Sequence, residues 1–568
     1  MSTPLNQAES DLSDSTQSSS EESEHKASNT PLNKRDWKLD SANFIELLEL
    51  NGKTPFIDKT LLIKEFLKSG KKRVLVTAPR CFGKTINISM LQHFLEIQTK
   101  EKPTDKNERF QKRLQRTQNY KLFSENNLKI MQETKIVRKH FGRYPVISVS
   151  FKCESYVSSY QRAFELCKKV IVEAFNQHAY LRYSPKLLPE DKQHCKRWRK
   201  NYLEGFVPRD VFNGLNTLAS YLYKHFEKKV FLLIDDYDGI INQAMLRPEI
   251  RDRLKDIIQD CTSIIKNAAY EHYVQGVFIT GISHMGLSGT SINRYKFLGR
   301  HQFVDFYGLT GEEVEELLTD TCGLTEEQVG TARRKYGGYF SVSGRQIYNL
   351  LSLLEYASDP DARNQYYSWK NTGVIIGLEN AFKIADIREM IERRLLLNRV
   401  IPVTTGTMTV DETVDLATLI KGQVLQKPEY YKSSIFFLFL LDQGYLAHAD
   451  EKCFKDGNYW LMLPNEEIRQ VVVERIIAYN IGNCGLKKTS YLREYFAEIC
   501  ETRFEPREFI EFTDCLSKCF NLPKFITESS TDAAFNRNDG YVDSGASMYL
   551  TARKDWLEDV HESGHYGS

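Results

Sequence analysis

"RVLVTAPRCFGKTINISM", from Arg73 to Met90, is the stretch that decides the fold. Its start, "RVLVT", is β-branched and apolar, the composition of a buried strand. Its end opens "TINISMLQHFLEI", where Ile88, Leu91 and Leu95 recur at helical spacing. Between them stand Ala78, Pro79, Arg80, Cys81, Phe82, Gly83, Lys84 and Thr85. A phosphate-binding loop reads G-x-x-x-x-G-K-[ST] and sits between a strand and a helix. Here Gly83, Lys84 and Thr85 hold their places, and Ala78 takes that of the first glycine. Such a loop wraps its backbone N–H groups around phosphates at a helix N-terminus. Gly83 would let the backbone approach, Lys84 would reach the β- and γ-phosphates, and Thr85 would give its hydroxyl to Mg²⁺. The first glycine only turns the strand into the loop, a task a small alanine can perform.

A tripeptide G-K-T is weak evidence alone, and a second stretch supports it. "VFLLIDDYD" (230–238) is a hydrophobic strand that exits through Asp235 and Asp236. In P-loop ATPases the first acid holds Mg²⁺ and the next orients or deprotonates the attacking water. Asp236 is one methylene shorter than the glutamate common there, which implies slow hydrolysis. "VFITGIS" (277–283) ends a third apolar strand, so Thr280 and Ser283 are candidate sensors of the γ-phosphate. A threonine satisfied by nearby backbone is the alternative.

Strands alternate with long helical stretches from about 70 to 308, which predicts a parallel α/β sheet covered on both faces. After Gly308 the strands mostly stop. The division expected is an acidic, serine-rich disordered tail over 1–36, the phosphate-loop domain over 37–308, a helical lid over 309–374, a helical linker domain over 375–480 and a C-terminal region over 481–568.

Charge and cysteine usage narrow the function class. The net charge of +2 gives no global reason to bind nucleic acid or membranes, so local patches must carry any such claim. One patch is "KRWRK" (196–200), basic with an embedded Trp198, which could contact phosphates and stack a base; a solvated helix face is the alternative. Cys515 and Cys519 share a helical face and read as core residues. No signal peptide and no membrane-spanning run is seen, so a cytoplasmic or nuclear location is expected.

These motifs resemble the AAA-ATPase-like P-loop family, whose members often carry a C-terminal restriction-endonuclease-like nuclease domain. "FIDKT" (56–60), "APRCFGKT", "YPVISVSFK", "LLIDDYD", "TGIS" and "YGGYF…IYNLLS" match its motifs in order over about 55–355. The resemblance implies an additional-strand P-loop sheet with a helical lid, and ATP with Mg²⁺ as ligands. Ala78 and Cys81 stand where the family has arginines, which leaves Arg80 as the loop's remaining arginine, and Asp236 replaces a glutamate. A lid arginine reaching the γ-phosphate would stabilise transition-state charge. Arg345 is the candidate, with Arg294 and Arg300 as rivals. Glu528 and Asp543 are the acids that a nuclease domain would need, but no E-x-K follows them. The expected function is therefore a slow Mg²⁺-dependent ATPase acting as a conformational switch. The alternatives are a nucleotide-binding scaffold without turnover and the ATPase module of a nucleic-acid-processing protein. The sequence names no protein partner and leaves oligomerisation open.

Overall fold

The computed structural model of this chain describes residues 43–50, 55–98, 108–153, 156–199, 206–287, 290–360, 380–396, 398–404, 408–449 and 458–472. It also describes Trp37, Arg475 and the short pieces 454–455, 535–536 and 541–542. The tail over 1–36, Cys515, Cys519, Glu528 and Asp543 lie outside the described residues, as does the expected boundary at 374/375.

Five parallel strands form the central sheet: β1 (Arg73–Thr77), β2 (Val146–Ser150), β3 (Val230–Asp235), β4 (Val274–Gly281) and β5 (Asn293–Tyr295), in the order β2-β3-β4-β1-β5. The strand β4 is thus inserted between the loop strand β1 and the acidic strand β3, the additional-strand arrangement that the resemblance implies. β3 is buried along its whole length, as expected of a central strand covered on both faces. The register sets Thr77 beside Gly281 and Ile234 beside Ile279. The C-terminal ends of β1, β3 and β4 therefore meet at one edge, where open α/β sheets place their ligands.

The chain crosses from β1 out to β2 and then works back through β3 to β4. Right-handed crossovers in opposite directions put helices on opposite faces. The helix Lys84–Leu95 covers one face and packs with Phe44–Glu49. Helices Tyr160–Gln177, Gly214–Phe226 and Leu254–Ala269 pack on one another over the other.

Beyond Gly308 the structure departs from the expected run of helices. Seven short strands appear there: β6 (Leu309–Thr310), β7 (Tyr339–Phe340), β8 (Gln346–Tyr348), β9 (Ile401–Thr404), β10 (Ala447–His448), β11 (Phe454–Lys455) and β12 (Asn458–Met462). They build a second sheet of order β11-β12-β10-β7-β8-β6, with β9 on β12. Strands of two to five residues are too short to display a two-residue alternation, which is why they escape a reading by period. The pairing of Phe340 with His448 joins the segment after Gly308 to the segment after 400. Gly338 sits at that seam with φ +83, and a Cβ there would lie 1.6 Å from the Pro464 carbonyl oxygen. Only glycine fits.

Two cores result. A small one gathers Trp37, Leu317, Leu318, Ala332 and Leu353 around the helices of 311–358. The large one runs from the central sheet into 381–472. The helix Val410–Ile420 packs directly on Leu254–Ala269.

Candidate functional site

The loop leaves β1 through Ala78, whose N–H donates to the Gly281 carbonyl at 3.0 Å and whose methyl is fully buried. Cys81 (φ 64) and Gly83 (φ 84) both adopt left-handed backbone, and Gly83 caps the helix Lys84–Leu95. A Cβ on Gly83 would meet nothing within 4 Å. The glycine is thus required by its dihedral rather than by crowding, and the space above it stays open.

Phe82 anchors the loop. Its ring is fully buried, 4.7 Å from Phe297 and 5.5 Å from Tyr339 between ring centroids. Its carbonyl accepts the Gly308 N–H at 3.1 Å. The Asn349 amide reaches the Arg80 carbonyl at 3.5 Å. The loop is therefore held by the segment that begins the small second core, not only by its own strand. Sequence reading placed Phe82 in the loop but missed this aromatic seat, because its partners lie more than two hundred residues away.

The charged centre follows the register. Lys84 is buried, donates to the Pro79 carbonyl at 2.8 Å, and stands 3.9 Å from Asp236 Oδ1. The Thr85 hydroxyl donates to Asp235 Oδ2 at 2.7 Å, and the Thr280 hydroxyl to Asp235 Oδ1 at 2.6 Å. Three stretches of sequence, the loop, the acidic strand and "VFITGIS", thus converge on one carboxylate. Burial, and after it the Asp236 carboxylate, push the Asp235 carboxyl above the ordinary range, against the pull of the two hydroxyls and Lys84. Asp236 has φ 44, an uncommon backbone for a residue other than glycine, and its Oδ1 is buried without a hydrogen-bond donor. Two adjacent acids, one destabilised by burial and one with an orphaned oxygen, beside a threonine hydroxyl, form a hard-oxygen set suited to Mg²⁺, which takes few protein ligands. A polar cleft of ≈ 850 Å³ opens beside Thr85 and Asp235 and is bordered by Ser148 and Ser150 at the end of β2.

Ser283 does not face this centre. Its hydroxyl and N–H donate to Asp238 Oδ2 at 3.0 and 2.8 Å, and the Ile282 N–H joins them at 3.1 Å. Asp238, which sequence reading did not single out, is fully buried and pins the exit of β4. Tyr237 donates to the Ser283 carbonyl at 2.6 Å and completes the pin. A third acid closing "IDDYD" was the only signal in the sequence.

Arg345 pairs with Asp305 at 2.8 Å at a half-exposed position. Arg294 lies on β5 opposite Leu75, with a buried Nη1 that has no acceptor, and Arg300 is exposed. Lys59, from "FIDKT", donates to the Asp305 carbonyl at 2.6 Å and pairs with Glu313. The basic patch needs a correction. Trp198 is fully buried, stacked 4.0 Å from Phe206 and 5.5 Å from Phe175, so it is no platform for a base. Arg197 lies over the Phe206 ring and 3.8 Å from Asp210, and Lys200 lies outside the described residues. Among the described residues no helix is long and apolar enough to cross a membrane.

Residues 42–291 match the family model described as predicted AAA-ATPase. That span holds the loop, the acidic strand and β4. No curated protein matches this chain. Among solved structures, a Walker-type ATPase of Pyrococcus abyssi is similar over 73% of this chain and 94% of its own, with 11% identity and a TM-score of 0.32. The match spans less than half of this chain, and it is residues 42–291 that are similar to the predicted AAA-ATPase family.

Proposed function

We propose that the chain binds ATP over residues 78–85 and hydrolyses it slowly, with the segment over 309–374 acting as a lid that responds to the nucleotide. The observation that carries this reading is the meeting of Lys84, Thr85, Asp235, Asp236 and Thr280 at one sheet edge. The N–H groups from Gly83 onward and the Lys84 ammonium bind the phosphates. Thr85 and Asp235 would hold Mg²⁺, which when bound supplies positive charge against the β- and γ-phosphates. Thr280 orients the Asp235 carboxylate. Asp236 positions the attacking water and receives its proton at the oxygen now facing Lys84. Arg345 exchanges Asp305 for the γ-phosphate as the lid closes, which supplies charge to the transition state.

The Asp236→Asn variant tests the proposal. Nucleotide binding is expected to persist while turnover falls by about a hundredfold or more, the scale of a lost general base. Unchanged turnover would contradict the role. A second reading, a nucleotide-binding scaffold that does not turn over, draws on the short side chain of Asp236. Appearance of turnover in Asp236→Glu, without a change in binding, would favour it.

A further inference from the structure

At the end of the central sheet opposite the phosphate loop, the chain gathers positive charge. From Glu108 to Arg143 the sequence holds ten lysines and arginines against three acids. That is a net +7 in a chain whose total is +2, so the remainder is net −5. The described residues of this stretch form the helices Glu108–Leu114, Gln118–Glu125, Lys129–Gln132 and Thr134–His140, just ahead of β2. Their place follows from the parallel sheet. The helix Lys84–Leu95 begins at the C-terminal end of β1 and runs back to the other edge. There the Phe94 and Leu95 carbonyls accept the Gly142 and Tyr144 N–H groups at 2.9 and 3.0 Å.

These helices turn their apolar residues inward. Phe123 and Phe141 pack on Phe94 at 6.0 and 4.8 Å between ring centroids, and Ile130, Ile136 and Val137 are buried. The cations stay outside. Lys135, Arg138 and Lys139 are exposed and share one helix face by their spacing of three and four residues. Two sets of contacts lengthen this face into a ribbon. At one end Glu133 is taken by Lys64 and lies 3.9 Å from Lys68, so the acid that adjoins the face is already claimed. At the other, the Arg143 guanidinium lies 4.7 Å over the Phe110 ring and donates Nε–H to the Arg138 carbonyl at 3.0 Å. A Cβ on Gly142 would stand 2.6 Å from Leu114 Cδ1. The helix Glu108–Leu114 is thus seated on the turn after Thr134–His140, which brings exposed Arg116 to the same end. Among the described residues Arg116, Lys135, Arg138 and Lys139 make no ion pair.

From this geometry we infer that the ribbon docks the phosphate backbone of a nucleic-acid duplex and reads it by charge alone. A polyanion gains from such a surface by releasing its condensed counterions. A protein interface draws on aromatic anchors, and a single strand on aromatic stacking platforms. Among the described residues of 108–143 no large hydrophobic side chain is exposed, so neither is provided. Solvated lysines and arginines with no acceptor among them give no means to tell DNA from RNA. The positive surface that "KRWRK" fails to supply thus lies on another face, and it stands apart from the nucleotide reading, since the loop occupies the opposite edge.

The test follows the fluorescence anisotropy of short labelled duplexes of mixed sequence, one DNA and one RNA, titrated with the full chain at several salt concentrations. Beside it stand the combined variant Lys135→Glu, Arg138→Glu, Lys139→Glu and a milder one with Gln at the same three positions, each checked for fold by circular dichroism. Both duplexes should bind the unmodified chain with dissociation constants of about 10⁻⁴–10⁻⁶ M, and log affinity should fall with log salt at a slope of about −3 to −4, as four cations on phosphates would give. The glutamate variant should bind roughly tenfold or more weakly, and the glutamine variant should flatten the slope by about 3. Absence of binding by the folded full chain at low salt, binding that salt does not weaken, or affinity and slope unchanged in a folded variant would overturn the inference. Binding of one duplex and not the other would refute readout by charge alone. Polyglutamate that displaces both duplexes at equal charge concentration would assign the ribbon to an acidic polypeptide instead.

Discussion

At Gly83 the loop makes a demand that only backbone conformation explains. The residue needs φ 84, yet nothing crowds its Cβ position. Gly83→Ala should therefore fold, with a loss of about 1–2 kcal/mol from left-handed backbone strain, measurable by urea unfolding. A loss near zero would mean that the loop relaxes to another conformation. Gly83, Lys84 and Thr85 were legible in the sequence because the motif fixes their spacing. Asp235 and Asp236 were legible because a long apolar strand delivers them. Asp238 was not, since its partners Ile282 and Ser283 follow a different strand and only the register between β3 and β4 brings them within 3.1 Å.

At the scale of elements, "FIDKT" proves to be a clamp. Asp58 accepts the Lys129 N–H at 2.6 Å and Thr60 accepts the Ile130 N–H at 3.0 Å, so they cap the short helix Lys129–Gln132 from outside. Thr60→Val keeps the shape but leaves a buried N–H unmet, and should cost about 1–3 kcal/mol in stability. A neutral result would show that the clamp is dispensable. The helix Pro189–Arg199 teaches the converse lesson. "KRWRK" looks like a solvated basic stretch, yet Trp198 is claimed by Phe175 and Phe206, neighbours that no local pattern reveals. Trp198→Ala should destabilise the chain by about 3–5 kcal/mol, as for a large core truncation, whereas charge reversal at half-exposed Arg197 should change stability little. Equal effects of the two would contradict the core role. Four strands of the central sheet, β1 to β4, were readable because each carries a run of β-branched and apolar residues, whereas β5, the three residues Asn293–Tyr295, was not. Those of the second sheet were too brief, and β10 (Ala447–His448) pairs with β7 (Tyr339–Phe340) from a segment far along the chain.

Across the whole molecule, burial keeps several histidines neutral. His140, His178 and His448 are each pushed down to about 4, chiefly by burial, from an ordinary value of 6.5. The folded chain therefore resists taking up protons that the unfolded chain accepts below 6.5. The stability that these groups contribute is fully present above that pH and is lost as pH falls from 6.5 toward 4. The unfolding temperature should decline across that window, and a flat profile would show that the imidazoles are more accessible than the structure has them. The same wholeness governs function. The large core runs unbroken from the central sheet into 381–472, and the loop is seated against Phe297, Gly308 and Tyr339. A nucleotide at the loop would thus press on both halves of the chain. Whether this loop is a working phosphate site is decided by titrating Mg²⁺-ATP into the full chain and into Lys84→Ala while following phosphate release. Binding with slow turnover is expected in the unmodified chain, with loss of both in a folded Lys84→Ala variant. No binding by the well-folded unmodified chain, or equal binding by the variant, would contradict it.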